Sequence, residues 1–212
     1  MKPQTETYRR TYDAKQSLRY QNRKSAKHAA ELRLIDRAFA RIPKTHRVLD
    51  VPCGGGRVML HLAKRGYTVT GADVSEGMIE IARESMTRAG LLCPVEYQDV
   101  ERLTYPDKSF NTIICFRLFH HFPTADIRRR AIAELCRVAG HNVVLSYFST
   151  ASMTSAKQKL VAAVGGRKHP RYPVPLSEVK GYFEAAGFRF VKDFAQMPLV
   201  HTLHVAVFER TR

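Results

Sequence analysis

No apolar run in the 212 residues approaches the roughly 18 to 20 residues needed for a membrane-spanning helix. The opening stretch Met1-Lys2-Pro3-Gln4-Thr5-Glu6 has no apolar segment of the kind that directs secretion, so export is not expected. Cysteine is sparse: Cys53, Cys93, Cys115 and Cys136 are widely spaced, with no Cys-x-x-Cys pair and no Cys/His ligand spacing. That argues against structural zinc, so no metal site is expected. The four residues read as reduced thiols of a cytoplasmic protein. There is no internal repeat and no low-complexity segment. Acidic residues are also few, 19 Asp and Glu against 35 Lys and Arg, for a net charge of +16.

The positive charge is unevenly spread. Residues 1–47 carry 13 basic and 4 acidic side chains. Residues 151–176 hold Lys157, Lys159, Arg167, Lys168 and Arg171 and no acid. Such a field attracts polyanions: nucleic acid, an anionic membrane surface or phosphorylated metabolites. A solvated basic surface with no specific partner is the plainer alternative.

What is present is most concentrated at Asp50-Val51-Pro52-Cys53-Gly54-Gly55-Gly56-Arg57. An apolar run, Arg47-Val48-Leu49, precedes it, and an amphipathic one, Val58 to Ala63, follows. That pattern is a strand, a glycine turn and a helix. Glycine lets backbone approach a ligand closely, and a helix start offers unpaired N–H groups. The next apolar run ends at Asp73, whose carboxylate can accept hydrogen bonds from both hydroxyls of a ribose. Together these features predict a nucleoside-type cofactor at the carboxyl edge of a parallel sheet.

The pattern downstream alternates strand and helix. A helix capped by Ser75 carries Met78, Ile81, Ala82 and Met86 and stops at Gly90. Strands are predicted over Val95–Val100, Phe110–Phe116 and Asn142–Tyr147, with a Thr124-capped helix ending at Gly140 between the last two. Phe110–Phe116 is apolar on both faces and therefore central. Ser177 is predicted to cap a helix stopped by Gly187. Two closing strands, Phe188–Phe194 and Leu203–Phe208, must include an antiparallel one. The expected fold is α/β: a doubly wound, Rossmann-like, seven-stranded and mostly parallel sheet with a C-terminal antiparallel hairpin. Residues 1–45 are expected to form a basic helical lid or extension, with Leu34, Ile35, Ala38, Phe39 and Ile42 at helical spacing. Residues 46–212 form the cofactor-binding domain, with 150–176 as a basic insertion on the acceptor side.

These residues resemble the class I S-adenosylmethionine-dependent methyltransferases, of the small-domain type that includes the quinone-biosynthesis enzymes. The likeness runs from about Arg47 to the C-terminus. It rests on Val48-Leu49-Asp50-Val51-x-Cys53-Gly54-x-Gly56, Gly71-Ala72-Asp73-Val74-Ser75-x-Gly77-Met78, Gln98-Asp99-Val100, Pro106 to Asn111, and Phe116 to Phe122. The resemblance implies S-adenosylmethionine as cofactor. It implies that Gly54 and Gly56 face its methionine part and that Asp50 helps hold its ammonium. Asp73 would take the ribose hydroxyls, Met78 would lie near the adenine, and Asp99 with the Val100 backbone would meet the adenine edge. Pro52, Cys53, Val74 and Phe116 complete the implied cofactor set. Pro52 stands where the family usually has glycine, and Asn111 where aspartate is commoner. The alternative for the glycine turn is a nicotinamide dehydrogenase, but its third glycine is replaced here by Met59.

Methyl transfer from a sulfonium mainly requires alignment and exclusion of water. A base helps when the acceptor must lose a proton. His120 and His121 follow the fourth strand and are candidates, His120 first; the alternative is that they pack the cofactor or the turn. Arg117 is a candidate for an anionic acceptor, or else a surface ion pair. Tyr8, Tyr12 and Tyr20 are candidates for a lid. His201 and His204 read as structural. The acceptor is expected to be a small-molecule, lipid-linked or sugar-linked anion. An RNA acceptor is the second reading, although Phe116-Arg117-Leu118-Phe119 lacks the Pro-Pro-Tyr pattern of amino-adenine methyltransferases and no RNA-binding module is present. A noncatalytic cofactor-binding partner is the third.

Overall fold

A computed structural model of the protein describes residues 25–151, 171–195 and 202–211. In chain order the elements are α1 (Ser25–Phe39), β1 (Arg47–Asp50), α2 (Arg57–Ala63), β2 (Thr68–Asp73), α3 (Glu76–Arg88), β3 (Val95–Tyr97) and β4 (Phe110–Cys115). A 3-10 turn (Phe119–His121), α4 (Ala125–Val138), β5 (Ala139–Phe148), α5 (Leu176–Ala185), β6 (Phe188–Ala195) and β7 (Leu203–Arg210) complete them. The seven strands form one sheet in the order β3-β2-β1-β4-β5-β7-β6. β1 to β5 pair in parallel, and β7 runs antiparallel between β5 and β6. The expected doubly wound sheet with its C-terminal hairpin is therefore the observed one.

Alternating strand residues feed two cores, one on each face. On one face Leu34, Ile35 and Phe39 of α1, Met59 and Leu62 of α2 and Ile79 and Met86 of α3 pack over Val48, Val69, Ile114, Val144 and Val205. On the other, Ile127 and Leu135 of α4 and Val179 and Phe183 of α5 pack over Leu49, Ile113, Val143, Leu145 and Phe208. β4 serves both cores through Ile113 and Ile114, as its two-sided apolar pattern predicts. α1 belongs to the sheet's packing: Tyr67 donates its hydroxyl to the carbonyl oxygens of Phe39 (3.2 Å) and Ile42 (2.9 Å) and ties down its C-terminal end. Residues 1–24, with Tyr8, Tyr12 and Tyr20, lie outside the described residues, as do most of the basic insertion and His201.

Four local readings differ from the structure. β3 ends at Tyr97 rather than Val100: the Gln98 N–H still donates to the Asp73 carbonyl at 3.0 Å, and its side chain bonds the Thr104 N–H and hydroxyl beyond the strand. The α3 face toward the core uses Ile79, while Ile81 is only half-buried. α4 runs straight into β5, so Gly140 lies inside the strand. α5 is capped at Pro175, two residues before Ser177; a proline needs no N–H partner at a helix start. Among the described residues no helix is long and apolar enough to cross a membrane, and no His, Cys, Asp and Glu cluster could hold a metal.

Candidate active site

Strand order reverses between β1 and β4, and the carboxyl ends of β1, β2, β4 and β5 share one edge of the sheet, where ligands of such folds bind. Asp50 closes β1. It is fully buried, and no hydrogen bond of ordinary geometry reaches either of its oxygens. Burial pushes its carboxyl up to about 8, although the Met59 amide and Arg57 pull against that rise. The turn that follows includes the cis peptide Val51–Pro52. The Cys53 N–H donates to the Ala72 carbonyl at 2.8 Å, which lays the turn against β2. The Cys53 thiol is buried and its pKa is pushed up by that burial. Gly56 caps α2 at φ 81°, a left-handed conformation that favours glycine. A Cβ there would sit 3.2 Å from Ala82 and Met86 of α3, so glycine is required on both counts.

Asp73 closes β2 and is engaged with backbone. One oxygen accepts from Gly54 N–H at 2.9 Å, the other from Ser75 N–H at 3.0 Å. Burial raises its carboxyl above the ordinary value, and the Ser75, Gly54 and Val74 N–H groups oppose that rise. Asp73 thus organises the glycine turn and the start of α3 beside any ribose it holds. Met78 is buried in the first turn of α3, and Val74 is half-buried just before it. Asp99 and Val100 follow β3, and Glu101 N–H donates to Asp99 Oδ1 at 3.0 Å. Phe116, next after β4, is buried beneath the Arg57 guanidinium at 5.7 Å. Asn111 lies away from this edge and accepts from Arg47 N–H at the start of β1.

The other half of this edge is cationic and aromatic. Arg117 has φ 65°, and its N–H donates to Ser146 Oγ at 2.6 Å. Its guanidinium donates to Glu31 Oε1 at 3.1 Å and lies 5.8 Å from the Phe148 ring. With the side chain only 14% exposed, this is a largely buried ion pair rather than a surface one. Arg171 approaches Phe148 at 5.4 Å. His120 stacks on Phe148 at 3.8 Å and meets the His121 ring at 4.2 Å, tilted by 40°. It is 1% exposed, and neither ring nitrogen is hydrogen-bonded. Burial, then His121, Arg117 and Arg171, hold its pKa well below 6.5, so the ring is neutral. His204 is elsewhere: its Nδ1 pairs with Asp193 Oδ2 at 2.5 Å across β7 and β6.

Sequence reasoning did not find Glu31. It accepts from Arg57 Nη2 at 2.8 Å as well as from Arg117, joining the two halves of the site from α1. Its signal was a charge on the apolar stripe, three and four residues before Leu34 and Ile35. Ser146 and Phe148 carried no such sign, because their roles follow from where β5 ends.

The methyltransferase domain family matches residues 48–142. A ubiquinone biosynthesis O-methyltransferase from Coxiella burnetii is 37% identical over 97 residues, 46% of this chain and 42% of that protein. The methyltransferase GfsG from Streptomyces halstedii is 34% identical over 113 residues, 51% of this chain and 41% of that protein. The chain therefore spans about two fifths of the length of these relatives. Among solved structures, the magnesium protoporphyrin IX methyltransferase of Synechocystis PCC 6803 with bound SAH superposes with a TM-score of 0.73 at 16% identity, over 95% of this chain and 89% of that one. Residues 48–142, which hold the glycine turn and both strand-end carboxylates, match the methyltransferase domain family, and the fold around them is that of the solved methyltransferase.

Proposed function

We propose that this protein transfers a methyl group from S-adenosylmethionine to a small, anionic acceptor, with O-methylation of a hydroxyl the best-supported chemistry. The observation that carries the cofactor half is Asp50, a buried carboxyl whose oxygens meet no hydrogen bond of ordinary geometry. A ligand bearing an ammonium satisfies it, and S-adenosylmethionine bears one beside a ribose that suits Asp73. Bound, the cofactor supplies the electrophilic methyl group. Gly54 and Gly56 leave room for it, Asp73 holds the ribose hydroxyls, and Met78, Asp99 and Val100 line the adenine side. Pro52, Cys53, Val74 and Phe116 form the walls.

On the acceptor side, Arg117 and Arg171 flank Phe148 and supply positive charge for an anionic, planar group. His120 is neutral and has free ring nitrogens. It accepts the hydroxyl hydrogen bond and orients the oxygen, and its low basicity limits it as a full proton acceptor. The matched curated relatives include several ubiquinone biosynthesis O-methyltransferases, which favours an oxygen nucleophile on a small aromatic or lipid-linked molecule. A cytoplasmic setting suits four unpaired cysteines.

The test is label transfer from methyl-labelled S-adenosylmethionine into a host extract fractionated into small molecules, lipid, protein and RNA. Label in the small-molecule or lipid fraction is the expected outcome. Nuclease-sensitive label in RNA would overturn the acceptor assignment, and cofactor binding without any label would overturn catalysis.

A further inference from the structure

Asp50 is fully buried and the Arg57 side chain is 29% exposed, and both hold polar atoms that are shielded and unpaired. Both oxygens of Asp50 lack a hydrogen bond, and so does Nη1 of Arg57, which is likewise shielded from solvent. Arg57 is close enough for its charge to act on Asp50, yet no ion pair joins the two. The rest of the guanidinium is fixed. Its Nη2 donates to Glu31 Oε2 at 2.8 Å, and its carbon lies 5.7 Å from the centre of the Phe116 ring. Glu31 is itself 5% exposed, and its second oxygen takes Arg117. Leaving a buried donor and a buried acceptor both unsatisfied is costly unless a ligand completes them.

An α-amino acid has the complementary pattern, an ammonium and a carboxylate on one carbon. We propose that Arg57 binds the α-carboxylate at the amino-acid end of the cofactor and that Glu31 is the positioning residue that aims it. This rests on the cofactor reading above, in which Asp50 takes the ammonium. A guanidinium held at one nitrogen by Glu31, with Nη1 shielded and unpaired, has little rotational freedom to lose on binding. Because the same carboxylate orients Arg117, one residue of α1 supports both the cofactor end and the acceptor arginine.

The test is calorimetric binding of three probes: S-adenosylhomocysteine, its decarboxylated form, and methylthioadenosine, which lacks the amino-acid end. The wild-type chain should prefer S-adenosylhomocysteine. Arg57→Gln should weaken that probe about 10- to 100-fold while leaving the other two within about twofold. Glu31→Gln should move affinities in the same selective direction, by about tenfold or less. Retained methylthioadenosine binding shows that a variant is folded. If Arg57→Gln does not fold, Arg57→Lys keeps the charge beside Glu31 but not the fork and should lose part of the preference. Equal weakening of all three probes, or undiminished S-adenosylhomocysteine binding, would overturn the assignment. A wild-type chain that binds none of the three would overturn the cofactor reading itself.

Discussion

Met59 of α2 occupies the space above Gly71 of β2: a Cβ built on Gly71 would stand 2.7 Å from the Met59 sulfur and 3.2 Å from Cys53. In dinucleotide-binding turns the close helix–strand approach is made by a third glycine on the helix. Here the helix position holds methionine and the strand supplies the glycine. Gly71→Ala should therefore cost about 1–3 kcal/mol in urea unfolding. Met59→Ala should leave room for the new methyl, so the double variant should be at least about 1 kcal/mol more stable than the sum of the single effects implies. Additive effects would mean that the two residues do not compete for one space.

Asp73 holds the Gly54 and Ser75 N–H groups and, on the proposed placement, the ribose as well. Asp73→Ala should weaken S-adenosylhomocysteine binding on the order of 1.5–3 kcal/mol through loss of charge-assisted hydrogen bonds. It should also lower stability, because Gly54 and Ser75 N–H groups lose their acceptor. Titration and thermal melting of the same variant separate the two. Full affinity would remove the ribose assignment.

On the proposed cofactor placement, Asp50 gives up stability for binding. Its folded pKa is raised to about 8, above the roughly 3.9 of an unfolded aspartate. Below the unfolded value both states are protonated and the ionisation penalty vanishes. As pH rises from about 4 to 8 the unfolded state ionises first, and stability falls. Asp50→Asn should thus raise the melting temperature at pH 7.5 by about 3 °C or more, have little effect near pH 4, and cripple cofactor binding. A destabilised variant at pH 7.5 that still binds would contradict this placement.

His120 titrates in the opposite sense. Its folded pKa is lowered, so its contribution is present above pH 6.5 and is lost as pH falls through and below that value, where only the unfolded imidazole takes a proton. His120→Gln should flatten the loss of stability between pH 6.5 and 5. It should also reduce methyl transfer more than cofactor affinity. An unchanged rate would remove His120 from the chemistry.

Most of the sheet was legible because each strand or helix is written locally. Val48-Leu49-Asp50 and Thr68 to Asp73 end in acids at the sheet edge, and the glycine turn lies between them. Ser75 and Thr124 marked helix starts correctly, and the Thr124 hydroxyl accepts from Ile127 N–H. Boundaries failed where a neighbouring element decided them, as where α4 runs straight into β5. The acceptor side was the least legible. Glu31 meets Arg57 and Arg117 across 26 and 86 residues, and a pairing of that range leaves no periodic trace. The left-handed backbone at Arg117 was equally hidden; its N–H donates to Ser146 on the adjacent strand, a partner 29 residues away.

The most direct test of the account is calorimetric titration of the wild-type chain with S-adenosylhomocysteine at pH 7, in two buffers of different ionisation enthalpy. Asp50 is mostly protonated before binding and must ionise to meet an ammonium. The account predicts one-to-one binding with release of about one proton, seen as a buffer-dependent heat. Absence of binding, or binding with no proton release, would contradict it.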